Sequence, residues 1–410
     1  MLMQVVHERC AGLDVHKKSV VSCAVTPEGK DQKTFETKMT HLNGLAEWLK
    51  ASRISVVAME STGSYWKPVY NVLEAADIQI VLVNARDFRN VPGRKTDVKD
   101  AEWLADLLCH GLLRGSYIPD RSHRELKELV RYRRSLVEEQ SREANRIQKI
   151  LEGANIKLGD VATDVLGKSG RDILQAMVNG ETDPEKLADL ARGKLKKKRE
   201  QLVEALHGVF GPHHQMMLAA QFRHIHCLEE EIARLDQEIE ARMHPFADAL
   251  ARVDEVDGLG RVNSEEILAE IGVDMTRFPS DAHLASWVGV CPGNNESAGK
   301  RHSGKTRKGN SHARSALVRA ARAASRTKGT YLSALYHHIA ARRGDKRAIV
   351  AVAHAILVAI YHMLRNGTRY RDLGADHFDR LHEASTVKRS VARLQALGYQ
   401  VVLTKPVPAA

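Results

Sequence analysis

Aromatic side chains make up only 5% of the 410 residues, too few for stacking on an aromatic platform to be the main way of holding nucleic-acid bases. Cysteine is also thin. Cys10, Cys23, Cys109, Cys227 and Cys291 are odd in number and scattered, with no Cys-x-x-Cys pair. That argues for a reducing compartment and against a disulfide frame or a zinc ribbon. His213, His214, His224 and His226 with Cys227 lack the (i, i+4) pairing of a helical zinc site. No signal peptide opens the chain. The one long apolar run, residues 348–364, contains His354 and His362 and falls short of the roughly 20 residues that span a bilayer. A buried helix is expected there, and no membrane partner.

What the chain does have is basic charge, 62 Lys and Arg against 51 Asp and Glu, for a net +11 spread over several segments. This excess suits a polyanion, most simply nucleic acid, although charge alone does not separate such a protein from a merely soluble basic one. The length allows two or three domains with proper cores.

Residues 1–120 are organised around the stretch 95–108, KTDVKDAEWLADLL. Ala101, Leu104, Ala105 and Leu108 recur at the spacing of one helical face. Thr96 or Asp97 can cap the start, and Asp97 and Asp100, three apart, project to one side. Upstream, residues 10–26 read as two strands around a turn at His16-Lys17-Lys18, and residues 32–39 as a third. A helix at 41–51, a strand at 55–59 ending in Glu60, a helix at 65–76 and a strand at 78–84 follow. The expectation is a mixed sheet flanked by helices.

Asp14 lies within the first strand and Glu60 ends a later one, while Asp97 and Asp100 sit on a helix able to pack against those ends. Any one of these acids reads as a surface residue; the set is more specific than its members. Four converging carboxylates repel one another unless cations lie between them, and hard oxygen ligands favour Mg²⁺ or Mn²⁺. Two such ions about 4 Å apart stabilise both the attacking and the leaving oxygen of a phosphodiester. The order D…E…D-x-x-D resembles the RNase H-like (RuvC-type) nuclease fold.

Residues 121–250 read as a helical arm. A long helix over 121–151 is dense in Arg, Lys and Glu, and a second over 215–243 carries Leu228, Ile232, Leu235 and Ile239 at heptad-like spacing. Such an arm either oligomerises or tracks a phosphate backbone, or is an ordinary solvated helical hairpin. The run 194–199, KLKKKR, is a nucleic-acid contact or a solubilising stretch.

In the last third, two helices flank Gly258-Leu259-Gly260. This is a helix-hairpin-helix-like element whose turn amides face a DNA phosphate, or a plain helical turn. The loop 285–309 places Lys300, Arg301, Lys305, Arg307 and Lys308 close behind Ser297, and a helix over 311–328 adds Arg314, Arg319, Arg322 and Arg326 largely along one face. Spacing alone leaves Ser297 as a phosphate clamp or a nucleophile assisted by adjacent cations. Residues 384–403 read as a helix and a strand.

Four motifs in order, GLDVHK (12–17), MESTG (59–63), KTDVKDA (95–101) and CPGNNESAGKRHSGKTRKGN (291–310), are similar to those of the IS one-ten family of DEDD transposases. That family includes the Piv-type DNA invertases, and the NNESAGK loop looks most like the IS-eleven-eleven subgroup. The resemblance covers the chain to about residue 370. It implies an α/β plus all-α protein: a RuvC-like catalytic domain (1–120), a helical coiled-coil arm (121–250), a small helical C-terminal transposase domain (251–370), and a tail (371–410) of unassigned role. It further implies Asp14, Glu60, Asp97 and Asp100 as metal-binding catalytic acids and Ser297 as covalent nucleophile, with Ser303 the alternative serine. Nucleic acid would meet Lys300, Arg301, Lys305, Arg307, Lys308, Arg314, Gly258 and Gly260. The partners implied are donor and target DNA, a noncoding guide (bridge) RNA and further copies of the chain in a dimer or tetramer, within the bacterial cytoplasm at the nucleoid. A metal-dependent nuclease without a covalent intermediate, and a non-catalytic nucleic-acid-binding protein, are the competing readings.

Overall fold

Five strands form one sheet in the order β3–β2–β1–β4–β5, with β1 Cys10–Val15, β2 Ser19–Thr26, β3 Gly29–Glu36, β4 Val56–Glu60 and β5 Gln79–Val83. β1, β2 and β3 pair antiparallel, whereas β1, β4 and β5 run parallel. The computed structural model describes residues 4–61, 63–84, 100–293, 295–297, 300–381 and 383–404, side chains excepted at 295–297, 300–302, 385 and 386. The chain divides into two units, Met1–Asp120 and Arg121–Ala410.

Alternation along the strands decides what each face of the sheet carries. Ala11, Leu13 and Val15 with Val57 and Met59 turn to one face, where α1 (Met39–Ala51) and α2 (Trp66–Ala75) supply Leu42, Leu45, Leu49, Val69 and Leu73. Cys10, Val56, Ala58 and Val83 turn to the other, covered by Leu104, Leu107 and Leu108 of α3 (Asp100–Cys109). Each fully buried leucine or methionine here contributes about 1.5–3 kcal/mol relative to exposure. β3 begins at Gly29, earlier than the expected residue 32, because Thr26 already pairs with Gly29 across a tight turn. It also ends earlier, since Lys38 is the N-cap of α1.

The second unit opens with two long helices, α4 (Arg121–Gly153) and α5 (Pro212–Met243). Arg242 Nη1 reaches Glu125 at 3.0 Å, Arg133 Nη1 reaches Asp236 at 2.9 Å and Gln140 Nε2 reaches Glu229 at 2.9 Å. Partners climb α4 as they descend α5, so the pair is antiparallel. Of the heptad-spaced residues, Leu228 and Ile239 are buried and Ile232 and Leu235 half-buried. The seam also takes in charge: Arg133 is only 3% exposed and Glu143 4% at the side chain. Glu143 pairs with Arg146 and lies 3.2 Å from His224 Nδ1. Residues 154–211 form four short helices that close over their own core of Ile156, Leu158, Ile173, Leu174, Leu187 and Leu202, so the arm ends in a folded head.

The remaining helices are α6 (Ala247–Asp254), α7 (Arg261–Ile271), α8 (Asp281–Val288), α9 (Ser311–Ala324), α10 (Tyr331–Arg343) and α11 (Asp345–Asn366). At 22 residues α11 is longer than the apolar run anticipated, and by length and composition alone it could cross a bilayer. Burial decides otherwise. Ile349, Val352, Ile356, Leu357, Ile360 and Tyr361 lie in the unit's main core, and Tyr361 Oη donates to the Phe278 carbonyl at 3.1 Å. Leu126 and Val130 of α4 and Ile239 and Met243 of α5 share that core. This core runs across residue 250, where the second boundary is expected. Beyond α11, Phe378 stacks on His338 at 4.6 Å, and a helix spans Glu383–Ala396. The strand expected before residue 403 is not formed among the described residues, because the only sheet in this unit there is a small hairpin, β6–β7.

Candidate active site

Leu13 of β1 pairs with Met59 of β4, so Asp14 and Glu60 stand one residue further along two adjacent parallel strands. Both belong to the series that faces α3, with Cys10 and Gly12 before Asp14, and Val56 and Ala58 before Glu60. The carboxyl ends of parallel strands are where open α/β sheets bind ligands. Asp100 is the first residue of α3, and Gly12 lets that helix come close. A Cβ at position 12 would lie 2.0 Å from the Ala101 carbonyl oxygen and 2.5 Å from the Ala105 nitrogen.

The three acids feel one another. Burial pushes the Asp14 carboxyl above the ordinary carboxylate range, and the charges of Asp100 and Glu60 push it further. His16 acts in the opposite sense, with its Nε2 3.0 Å from Asp14 Oδ2. Hard, half-buried oxygen donors that repel one another are the donor chemistry a divalent cation relieves. Among the described residues no three His, Cys, Asp or Glu already stand close enough to hold an ion. Asp97, the fourth expected acid, lies outside the described residues. Glu102 and Asp106, also on α3, are taken up by Lys30, 3.0 and 2.8 Å away. Sequence reasoning missed Lys30 and His16; the latter follows the acid directly in LDVH.

Gly12→Ala tests whether close helix approach sets this geometry. The added methyl must displace α3, so a stability loss of about 1–3 kcal/mol in chemical denaturation is expected. An unchanged unfolding midpoint in Gly12→Ala would mean that the approach of α3 does not depend on glycine there.

The serine loop follows α8 in the second unit and is a clipped hairpin. The Asn310 amide donates to the Trp287 carbonyl at 3.0 Å, the Gly293 amide to Lys305 at 2.9 Å, and Pro292 bridges Thr306. Gly309 allows the two stems to meet, since a Cβ there would lie 2.4 Å from the Val288 carbonyl carbon. Beyond the stem, β6 (Asn295–Ser297) pairs with β7 (Lys300–Ser303), with Ser297 opposite Lys300 at the tip. Ser303 Oγ accepts from the Lys305 amide at 3.2 Å. Lys305, Arg307 and Lys308 are exposed, and Arg314 is half-buried.

Asn310 anchors the loop's far end. Its Oδ1 accepts from the His312 and Ala313 amides, capping α9, and its Nδ2 donates to Glu270 Oε2 at 2.6 Å. Glu270 is buried. Burial alone would raise its carboxyl, but the Arg131 guanidinium at 2.6 and 3.0 Å and Lys127 at 3.1 Å hold it below the ordinary glutamate range. Two neighbours on α7 are also paired with arginine: Glu265 receives Arg133 at 2.6 Å, and Glu266 pairs with Arg319. Arg319 therefore turns inward, away from the exposed face expected for it with Arg314, Arg322 and Arg326. The signal for this was three glutamates within six residues around the apolar Ile267, Leu268 and Ala269, in SEEILAEI.

Gly258 has a positive φ of 82°, and a Cβ there would lie 2.3 Å from the Ala324 nitrogen. Packing against α9 thus accounts for glycine at this position. Gly260 caps α7 and has nothing within 4 Å of a built Cβ.

Comparison with known proteins adds the following. Residues 11–156 match the DEDD transposase family of IS110 elements, described as "Transposase", and residues 250–337 match "Transposase IS116/IS110/IS902 family". The chain is similar to the "Insertion element IS110 uncharacterized 43.6 kDa protein" of Streptomyces coelicolor, 25% identical over 392 residues covering 88% of this chain and 94% of the relative. It is also similar to a "Probable family 20 transposase" of Pseudomonas aeruginosa, 25% identical over 327 residues covering 77% of this chain and 86% of that protein.

Proposed function

Because the chain belongs to the IS110 family of transposases, we propose that it cuts and rejoins the DNA of an insertion sequence through a serine-linked intermediate under the direction of a guide RNA. One observation carries the catalytic half of this reading. The carboxyl group of Asp14 is held up by burial and by the charges of Asp100 and Glu60, which brings acids from three elements into one electrostatic neighbourhood at the strand ends. With Asp97 they would hold Mg²⁺ or Mn²⁺, whose bound charge polarises a phosphodiester and stabilises its departing oxygen.

The chain's own residues then divide the work. Ser297 Oγ attacks phosphorus, forming an O–P bond, while the bond from phosphorus to the adjoining sugar oxygen breaks. The serine proton ends on that departing oxygen as a hydroxyl. A hydroxyl from the incoming strand attacks the phosphoserine in turn, releasing Ser297 and sealing the new junction. Lys300, Arg301, Lys305, Arg307 and Lys308 around the hairpin neutralise the phosphate, and the Gly258–Gly260 turn and Arg314 contact the backbone further out. The acids and Ser297 belong to different units, and the reaction brings the acids of one protomer to the serine of another. The antiparallel α4–α5 arm serves as the oligomerising coiled coil.

A two-plasmid assay tests the guided part. A donor carrying the element ends and a target are placed in cells with the protein, with and without transcription of the noncoding DNA beside its gene. Recombinants are expected only with the transcript. Equal recombination without it would remove the guide RNA, and none in either arm would remove the recombinase.

A further inference from the structure

A cleft of about 400 Å³ opens where the end of α9 meets α10 and the start of α11, lined by Arg322, Arg326, Lys328, His337, Tyr336 and Asp345 among others. Its cations are exposed, and among the described residues neither Arg326 nor Lys328 has a carboxylate partner. Asp345 is the single acid in the lining. Its carboxylate accepts from Tyr336 Oη at 2.9 Å and stands 4.0 Å from Arg322 Nη2, a contact too long to hold the guanidinium closely. Ser333 and Ser325 fix the floor: Ser333 Oγ donates to the Ser325 carbonyl at 3.1 Å and Ser325 Oγ to the Arg322 carbonyl at 2.9 Å. The basic residues that pair inward with the α7 glutamates play no part here.

Resting on the transposase reading, we propose that this cleft holds a backbone phosphate of the DNA duplex whose strand is engaged at the serine hairpin. The two features sit at opposite ends of α9. From Asn310 at the hairpin base to Arg322 at the cleft is twelve helical residues, about 18 Å at 1.5 Å per residue. That is roughly five base-pair steps at 3.4 Å each. A straight duplex lying along the helix therefore offers the cleft a phosphate about half a helical turn from the one nearest the hairpin base. The cleft sets where the duplex lies, and takes no part in bond-breaking.

Fluorescence anisotropy of the full-length protein with a labelled duplex of an element end, in EDTA across a salt series, tests the site. The double variant Arg326→Ala/Lys328→Ala is expected to bind at least tenfold more weakly near 150 mM salt and to lower the log–log salt slope by about 2. Asp345→Asn, which frees Arg322, is expected to bind several-fold tighter, a gain that misfolding does not produce. Unchanged affinity and slope in both variants would overturn the proposal, as would losses seen only with single-stranded RNA of the same sequence. If the wild type never forms a covalent DNA adduct yet the variants shift binding as stated, the cleft stands and the serine chemistry falls. An adduct together with unaltered binding reverses that outcome.

Discussion

Asp14→Asn is expected to lower strand cleavage and joining by a factor of about 10²–10³ or more, the usual scale for removing one electrostatic stabiliser of a transition state, while leaving DNA affinity intact. The reason is local. Asp14 lies on β1 next to the strand that ends in Glu60 and feels the charges of Glu60 and Asp100, so asparagine keeps the shape and removes one of three mutually repelling charges. Stability provides a second readout that does not depend on turnover. A carboxyl raised in the folded state contributes favourably only below the ordinary aspartate range and loses that contribution as pH rises through the folded value. At neutral pH without metal, the Asp14 charge is therefore a cost, and Asp14→Asn should hold or raise the melting temperature. Adding Mg²⁺ or Mn²⁺ should raise it for the wild type only. The gain is about 2.7 kcal/mol at a hundredfold excess over Kd. Wild-type rates in the variant, or an equal metal-induced rise in both proteins, would remove the acids from catalysis.

Ser297→Ala carries the second large effect. Loss of a nucleophile that works together with its surroundings costs on the order of 10⁴ or more in rate, so recombinants should fall to background and the covalent protein–DNA band on a denaturing gel should vanish. Ser303→Ala should retain that band, since Ser303 Oγ is engaged with the Lys305 amide in a local turn. The reverse pattern would exchange the two serines. Strand cleavage persisting in Ser297→Ala, with no covalent band in the wild type, would mean hydrolysis by a metal-activated water, with Ser297 serving only for contact.

The half of the site that could be read from sequence is the half that local periodicity controls. Asp14 lies within one apolar β-like run and Glu60 ends another, and a period of two places both on the α3 face of a sheet whose strands were nearly all in view. Where long-range pairing decides, sequence reading failed. Arg133 reads as an interruption of the apolar seam and Arg319 as one of a row of cations, with no sign of their partners, because Glu265 and Glu266 lie 132 and 53 residues away along the chain. The register of β3 depended on a turn closing at Gly29, which weak alternation in an exposed strand does not reveal. The head formed by residues 154–211 is not legible in the sequence as a folded unit, since its core comes from four short helices and both arm helices together. Asp97 lies outside the described residues, so its place beside Asp14 stays with the proposal.

The two charges sunk between α4 and α5 bear on how far the head can reach. Arg133 has its carboxylates at Asp236 and Glu265, and Glu143 its cation at Arg146. Of these contacts Arg133–Asp236 joins α4 to α5, since Glu265 belongs to α7 and Arg146 to α4 itself, and sliding by a heptad would break it together with Arg242–Glu125 and Gln140–Glu229. That ladder opposes telescoping. At 33 residues, α4 is a strut of about 50 Å, and whatever the head grips, it grips at one set span from the helices that carry the serine hairpin.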